Sequence, residues 1–400
     1  MNLASTYLIK GGWSAHGDVD VSGDTNSAIA NTCLAVLTGE KKIISNAPRT
    51  NIFLSFLKNL ELLGVEINWI SITQISVDVD WNTFDPDFVH LLPDLSPTFC
   101  EIFINLVLAK KYSVKVPLKF RTHLPRYKRL GCNVEFSDDN YFLIQAPIQN
   151  NGVLPKYHIH SFQKDFYALL NYSILKYIYP KIHIDFDNKP NPLRIFNDQE
   201  YMQKDKYTVT ANVSEVNFYA MLAVLTDGEL NIKGVDLQLS LGFLMDLDEI
   251  GATYEVKSNV LKIWQDLKIL KTKYNYISSN PDELGYLLLF HTLYGEKKVS
   301  ITCRDSFDIR DLIKTLNIMG CYISYEHAEN KILQLTVKPS VLVTFKLPIP
   351  NGRWGGVVLA AAISYIGNSI VTDIEKISDY IPFLEETLEN LDLKLIPRAS

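Results

Sequence analysis

Between Lys119 and Arg129, six side chains that can carry positive charge fall within eleven positions: Lys119, Arg121, His123, Arg126, Lys128 and Arg129. Such density suits either a solvated loop and helix face or a lip that binds an anion. His158 and His160 alternate along YHIHSF, but the sequence offers no convincing third ligand beside them, so no metal site is expected. The cysteines Cys33, Cys100, Cys132, Cys303 and Cys321 are odd in number and lack CxxC spacing, which fits neither a disulfide framework nor a zinc site. Four of them have apolar neighbours and read as small core residues; Cys303, in ITCRDS, stands apart. No GxGxxG or GxxxxGK[ST] phosphate loop occurs, and no cofactor is expected.

The elements that must position these groups belong to a chain of 400 residues, more than one hydrophobic core usually organises. Its 47% hydrophobic content supplies two cores. A net charge of -6 argues against a broad nucleic-acid footprint and leaves room for a local cationic cleft. The apolar runs are too short for a bilayer span, and the opening MNLASTYLIKGGWSAHGD lacks the plan of a secretory signal. A cytoplasmic protein, monomeric, without nucleic-acid or membrane partners, is the expectation.

Internal repeats organise the chain. Leu34-Ala35-Val36-Leu37-Thr38 returns as Leu222-Ala223-Val224-Leu225-Thr226, and the Gly-Glu-Lys-Lys of positions 39–42 returns at 295–298. A second mark is a helical stretch closing on an apolar residue and glycine before alternating apolar residues: LLGVEI at Gly64, RLGCNVEF at Gly131, EIGATYEV at Gly251 and IMGCYISY at Gly320. Glycine supplies the left-handed cap that turns a helix sharply into a strand. The unit reads helix, turn, strand, helix, glycine, strand, and six copies fit, near 18–80, 85–147, 155–208, 209–265, 275–338 and 342–397. The third, with Tyr179-Pro180 in place of the glycine, is the least regular.

Six such copies, with GDVDVSGDTNSAIANTCLAVLTGEKK at the start, YTVTANVSEVNFYAMLAVLTDGELNIKGV in the middle and NGRWGGVVLAAAISYIGNSIVTDIEKI near the end, resemble 5-enolpyruvylshikimate-3-phosphate synthase and UDP-N-acetylglucosamine enolpyruvyl transferase over essentially the whole length. The resemblance implies an α/β fold of two domains, an inside-out α/β barrel with three βαβαββ-type repeats in each. It implies one domain of residues 1–22 plus 212–400, another of 23–211, a hinge near Asp20 and Thr210, and an interdomain cleft for a small anionic substrate, phosphoenolpyruvate or a related carboxylate.

Carried over residue by residue, the resemblance gives a mixed site. Asn26 keeps a substrate-binding asparagine, while Thr25 stands where a lysine binds the phosphate-bearing reactants. Arg121 can stand in for the arginine of a mobile loop, whose cysteine acid is missing. Leu92-Pro93-Asp94-Leu95-Ser96 lacks the second-unit arginine; Glu101 lies close to its place, and Asp94 or Ser96 reads as a helix cap. Asp282, in Asn280-Pro281-Asp282, matches the general base; its plainer role is a carboxylate against a helix dipole. Arg304-Asp305 echoes a Lys-Glu pair, with Asp305 as a second catalytic candidate. Arg353 matches the arginine that grips the carboxylate of phosphoenolpyruvate, and Asp379 or a neighbour replaces the cation of the final helix. Three readings follow: a diverged enzyme of specialised biosynthesis, a non-catalytic ligand- or partner-binding homologue, and an orthodox phosphoenolpyruvate-dependent transferase.

Overall fold

The computed structural model describes residues 6–81, 97–110, 113–118, 121, 124–129, 131–137, 141–146, 157–160, 166–177, 182–185, 192–265, 275–277, 281–304, 307–328 and 332–398. In chain order these form β1 (Thr6–Lys10), β2 (His16–Asp20), α1 (Thr25–Thr38), β3 (Lys42–Ser45), α2 (Asn51–Leu62), β4 (Glu66–Ser71) and β5 (Gln74–Asp78). Next come α3 (Pro97–Ala109), β6 (Ser113–Pro117), α4 (Leu124–Arg129), β7 (Asn133–Ser137) and β8 (Tyr141–Gln145). The third repeat holds β9 (Tyr157–His160), α5 (Phe166–Leu175), β10 (Ile182–Asp185), α6 (Gln199–Met202) and β11 (Lys206–Thr208). The fourth has α7 (Val213–Leu225), β12 (Glu229–Lys233), α8 (Leu237–Ile250), β13 (Thr253–Lys257) and β14 (Val260–Trp264). The fifth has β15 (Asn275–Ile277), α9 (Pro281–Tyr294), β16 (Val299–Arg304), α10 (Phe307–Ile318), β17 (Tyr322–Ala328) and β18 (Ile332–Lys338). The last has β19 (Lys346–Pro348), α11 (Gly352–Ser364), β20 (Asn368–Thr372), α12 (Leu384–Asn390) and β21 (Leu395–Pro397).

The chain divides into two compact units, Met1–Ser22 with Ala211–Ser400 and Gly23–Thr210. Each has its own hydrophobic core. In the first unit the sheets run β19-β20-β1-β21, β13-β14-β12-β2 and β15-β16-β18-β17; in the second they run β11-β3-β5-β4, β6-β8-β7 and β10-β9. The strand leading into each unit's opening helix is exchanged: β2, which precedes α1, pairs in parallel with β12, and β11, which precedes α7, pairs in parallel with β3.

Two kinds of helix follow from composition. In α1, α7 and α11, nearly every residue beyond the first turn is buried, as expected for helices apolar on all sides. In α2 only Phe53, Phe56, Leu57 and Leu60 are buried, one stripe at helical spacing. Each unit thus has central helices wrapped by amphipathic helices and sheets. The four glycines that mark the repeats adopt φ of 86° at Gly64, 81° at Gly131, 76° at Gly251 and 102° at Gly320, the left-handed conformation their helix ends require. All five cysteines are buried thiols outside any disulfide, Cys303 included. Among the described residues no helix is long and apolar enough to cross a membrane.

Gly23 is held by close backbone approach. A Cβ built on it would lie 1.8 Å from the Asn46 carbonyl oxygen and 2.8 Å from Val209. Because the nearer obstacle is backbone, Gly23→Ala is expected to destabilise the second unit by about 1–3 kcal/mol. The urea midpoint of the variant measures this; an unshifted midpoint contradicts it.

Candidate active site

Three central helices of the first unit share one direction. A Cβ on Gly356, the fifth residue of α11, would lie 2.3 Å from Tyr286 Oη, on the sixth residue of α9, and 3.2 Å from the ring of Phe218, the sixth of α7. One on Gly285, the fifth residue of α9, would lie 2.7 Å from Val357, the sixth of α11. Residues at matching depth therefore meet. At the far end Tyr294 Oη, on the last residue of α9, donates to the carbonyl of Leu225, the last of α7, at 2.8 Å. At the near end Tyr380 lies against both Gly352, the first residue of α11, and Asn212, the cap of α7. The helices thus run parallel with their N-termini at one end. Free N–H groups and the positive ends of three dipoles gather there.

Two asparagines finish these N-termini. Asn212 caps α7, its side chain accepting from Ser214 N at 3.0 Å while its Nδ2 donates to the Tyr380 carbonyl at 2.8 Å. Asn351 caps α11 by accepting from Trp354 N at 3.1 Å. Arg353 is the second residue of α11, half-buried, its guanidinium carbon 5.4 Å from the Trp354 ring centroid. Asp282 is the second residue of α9, and its side chain lies outside the described residues. The two residues matched to base and carboxylate anchor thus occupy equivalent positions at one end of one helix trio. Arg304 closes β16, and its side chain, like all of Asp305, lies outside the described residues.

Sequence reasoning passed over the acids at the same end. Glu215, in the first turn of α7, is 2% exposed, and one of its carboxyl oxygens accepts from both Ser22 N and Ser22 Oγ at 2.6 Å. Burial pushes it up to about 8, against the pull of those two hydrogen bonds, so it is mostly protonated at neutral pH. Glu283, 7% exposed, follows Asp282 and hydrogen-bonds Asp246 of α8. Burial, reinforced by nearby Glu249, raises Asp246, while the bond to Glu283 opposes the rise. Two carboxyls joined by a hydrogen bond share a proton. The available signal was an acid inside a helix apolar on every side, as in VSEVNFYAMLAVL.

The second unit's α1 N-terminus is also guarded by an acid. Asp24 accepts from Ser27 N at 2.7 Å, and desolvation raises its pKa despite hydrogen bonds from the Ser27 and Asn26 amides. Thr25, in the lysine's place, exchanges a 2.9 Å hydrogen bond with Thr50. Asn26 is half-buried beside it. Of the basic segment, Arg121 and Lys128 are exposed, and Arg126 pairs with Glu101 of α3. The structure does not describe Lys119 or His123, nor the side chain of Arg129; Asp94 and Ser96 also lie outside the described residues. Among the described residues, no group of three His, Cys, Asp or Glu side chains could hold a metal ion.

No family model matches the chain. Its fold is similar to that of the enolpyruvyl transferase NikO from Streptomyces tendae, with a TM-score of 0.71 and 16% identity over 98% of this chain and 99% of that one. It is also similar to EPSP synthase from Acinetobacter baumannii, with a TM-score of 0.70 and 12% identity over 99% of this chain and all of that one. A second structure of that synthase gives 0.67 at 13% identity. The chain therefore has the two-domain α/β fold of the enolpyruvyl transferases, and at these identities the likeness speaks for the fold.

Proposed function

We propose that this chain is an enolpyruvyl-transferase-like enzyme that takes a small anionic substrate at the shared N-terminal end of α7, α9 and α11. The supporting observation is the equivalent placement of Asp282 and Arg353 on two parallel helices of one trio. Arg353 would hold the substrate carboxylate, aided by the helix dipoles. Asp282 would take the acceptor's hydroxyl proton as the C–O bond forms and pass it to the methylene carbon to complete a tetrahedral intermediate. Ionised again, it would take a proton from the resulting methyl group as the leaving group departs. Glu215 and the Asp246–Glu283 pair add carboxyls to this end rather than cations. That balance favours a substrate of lower negative charge than phosphoenolpyruvate beside a phosphorylated acceptor.

A second reading, a homologue that binds an anion without transforming it, is favoured by α1. There Asp24 caps the helix and Thr25 supplies no cation. Phosphate release from phosphoenolpyruvate over a panel of hydroxyl acceptors, with calorimetric binding of the same compounds, separates the two. Turnover that falls by about a hundredfold or more in Asp282→Asn, with binding weakened in Arg353→Gln, supports the enzyme. Binding lost in Arg353→Gln without turnover from any acceptor supports the second reading. Turnover unchanged in Asp282→Asn overturns the assigned base.

A further inference from the structure

β17, seven residues long, is an outer strand of the first unit's sheet β15-β16-β18-β17. Successive residues of a strand alternate between faces. One face of β17 carries Ile323, Tyr325 and His327, which stand opposite Val337, Leu335 and Leu333 of β18. Those three partners are 0% exposed, yet Tyr325 is 39% exposed and His327 is exposed as well. The cover over this face of the sheet therefore stops one strand short of the edge. Helix α10 flanks the gap and leaves an open groove of about 850 Å³, lined by Arg310, Asp311, Lys314 and Ile318 of the helix and by Ile323 and Tyr325 of the strand.

Asn317, also on the groove, shows how this edge accepts a partner. Its Oδ1 accepts from Ile323 N at 2.9 Å, and its Nδ2 donates to the Ile323 carbonyl at 2.9 Å, the pair of bonds a neighbouring strand residue would make. The N–H and C=O of Ile323 thus point away from β18, and by alternation those of Tyr325 and His327 do the same. A row of outward backbone groups is a template for an added strand. Charge selects what is added. Arg310 and Lys314, one helical turn apart and both exposed, face the groove with a single acid, Asp311. We propose that the α10–β17 groove docks an extended segment of a partner protein as an added strand on β17, with a carboxylate side chain of that segment seated against Lys314 and Arg310. Backbone pairing supplies the affinity, Ile318 and Tyr325 offer apolar surface to alternate side chains, and the cations fix which residue enters. A second copy of this chain fits less well, because isologous pairing sets the cation-rich helix face against itself. None of these residues belongs to the site assigned to the reaction, so docking and chemistry can be tested apart.

The test selects a phage-displayed library of random dodecapeptides on the full chain and measures the enriched peptides, made synthetically, by calorimetry. One peptide per chain is expected, alternating apolar or β-branched residues with polar ones around an Asp or Glu. Lys314→Glu should weaken binding by about tenfold or more, because a charge-assisted contact is replaced by repulsion. Tyr325→Pro removes an outward N–H without costing a β17–β18 ladder bond, and should abolish binding while far-UV circular dichroism stays unchanged. A second measurement does not depend on how that variant folds. N-methylation of alternate peptide residues should abolish binding in one register, where the N–H groups face β17, and spare it in the other. The proposal is overturned if no peptide is enriched, if Lys314→Glu and Tyr325→Pro bind as tightly as the parent, or if both N-methylated sets bind alike. A concentration-dependent dimer of the free chain that Tyr325→Pro dissolves overturns it in favour of a second copy.

Discussion

Glu215→Gln is expected to make the protein more stable at pH 9 by several kcal/mol while changing little at pH 5. The wild-type carboxyl titrates near 4.5 when unfolded and near 8 when folded, because burial disfavours the charged form. Below pH 4.5 both states hold the proton and the group exerts no pull. From there to pH 8 the unfolded chain releases it and the folded chain keeps it, so stability falls by about 1.4 kcal/mol per pH unit. The accumulated loss is on the order of 5 kcal/mol, and above the folded value it stays constant. A buried glutamine has no proton to release, and its carbonyl oxygen can accept the two hydrogen bonds from Ser22. Urea midpoints of both proteins at pH 5, 7 and 9 should therefore diverge as pH rises; parallel curves would show that Glu215 ionises in the folded protein as freely as in water.

That carboxyl also shows where the sequence stopped being informative. The turns at Gly64, Gly131, Gly251 and Gly320 were legible because a helix that reverses into a strand within one residue demands left-handed backbone, and glycine meets that demand locally. The alternation of helices and strands was legible for the same reason, periodicity being a property of neighbours in sequence. The pairing of β2 with β12 and of β11 with β3 was not. A short alternating strand carries no mark of its partner, so that arrangement emerged only with the structure. Glu215 and Glu283 were passed over, because a helix dipole accounts for any first-turn acid until the surrounding side chains are known to exclude water. Asp282 and Arg353 were legible as matches, and their common end of the helix trio emerged only from contacts at matching depth.

Glu101→Ala should destabilise the second unit by about 3 kcal/mol, and removing Arg126 as well should restore part of the loss. Arg126 reaches from α4 to Glu101 on α3 through Nη1, and its guanidinium carbon lies 4.4 Å from the Tyr172 ring centroid. Asn171 Nδ2 donates to the other Glu101 oxygen at 3.4 Å, and Asn105 joins the cluster through Asn171 at 2.6 Å and Tyr127 Oη at 3.1 Å. Nε and Nη2 of Arg126 are buried without an acceptor, so Glu101 is the arginine's carboxylate partner in a poorly hydrated place. Deleting that partner strands a cation, the costly way to break such a pair. The side chains are still 23% and 14% exposed, which keeps the estimate at the low end for buried pairs. Exchanging both, as Glu101→Gln with Arg126→Met, removes the charge requirement altogether. A double-mutant cycle on urea unfolding should give a coupling above about 1 kcal/mol, and a coupling near zero would sink the assignment. The consequence reaches the ligand. An arginine neutralised by Glu101 contributes little attraction for an anion, so of the described residues in the basic segment, the exposed Arg121 and Lys128 are left to provide it. Glu101 stands close to where the resemblance expects an arginine, and it withdraws the nearest described guanidinium from that role.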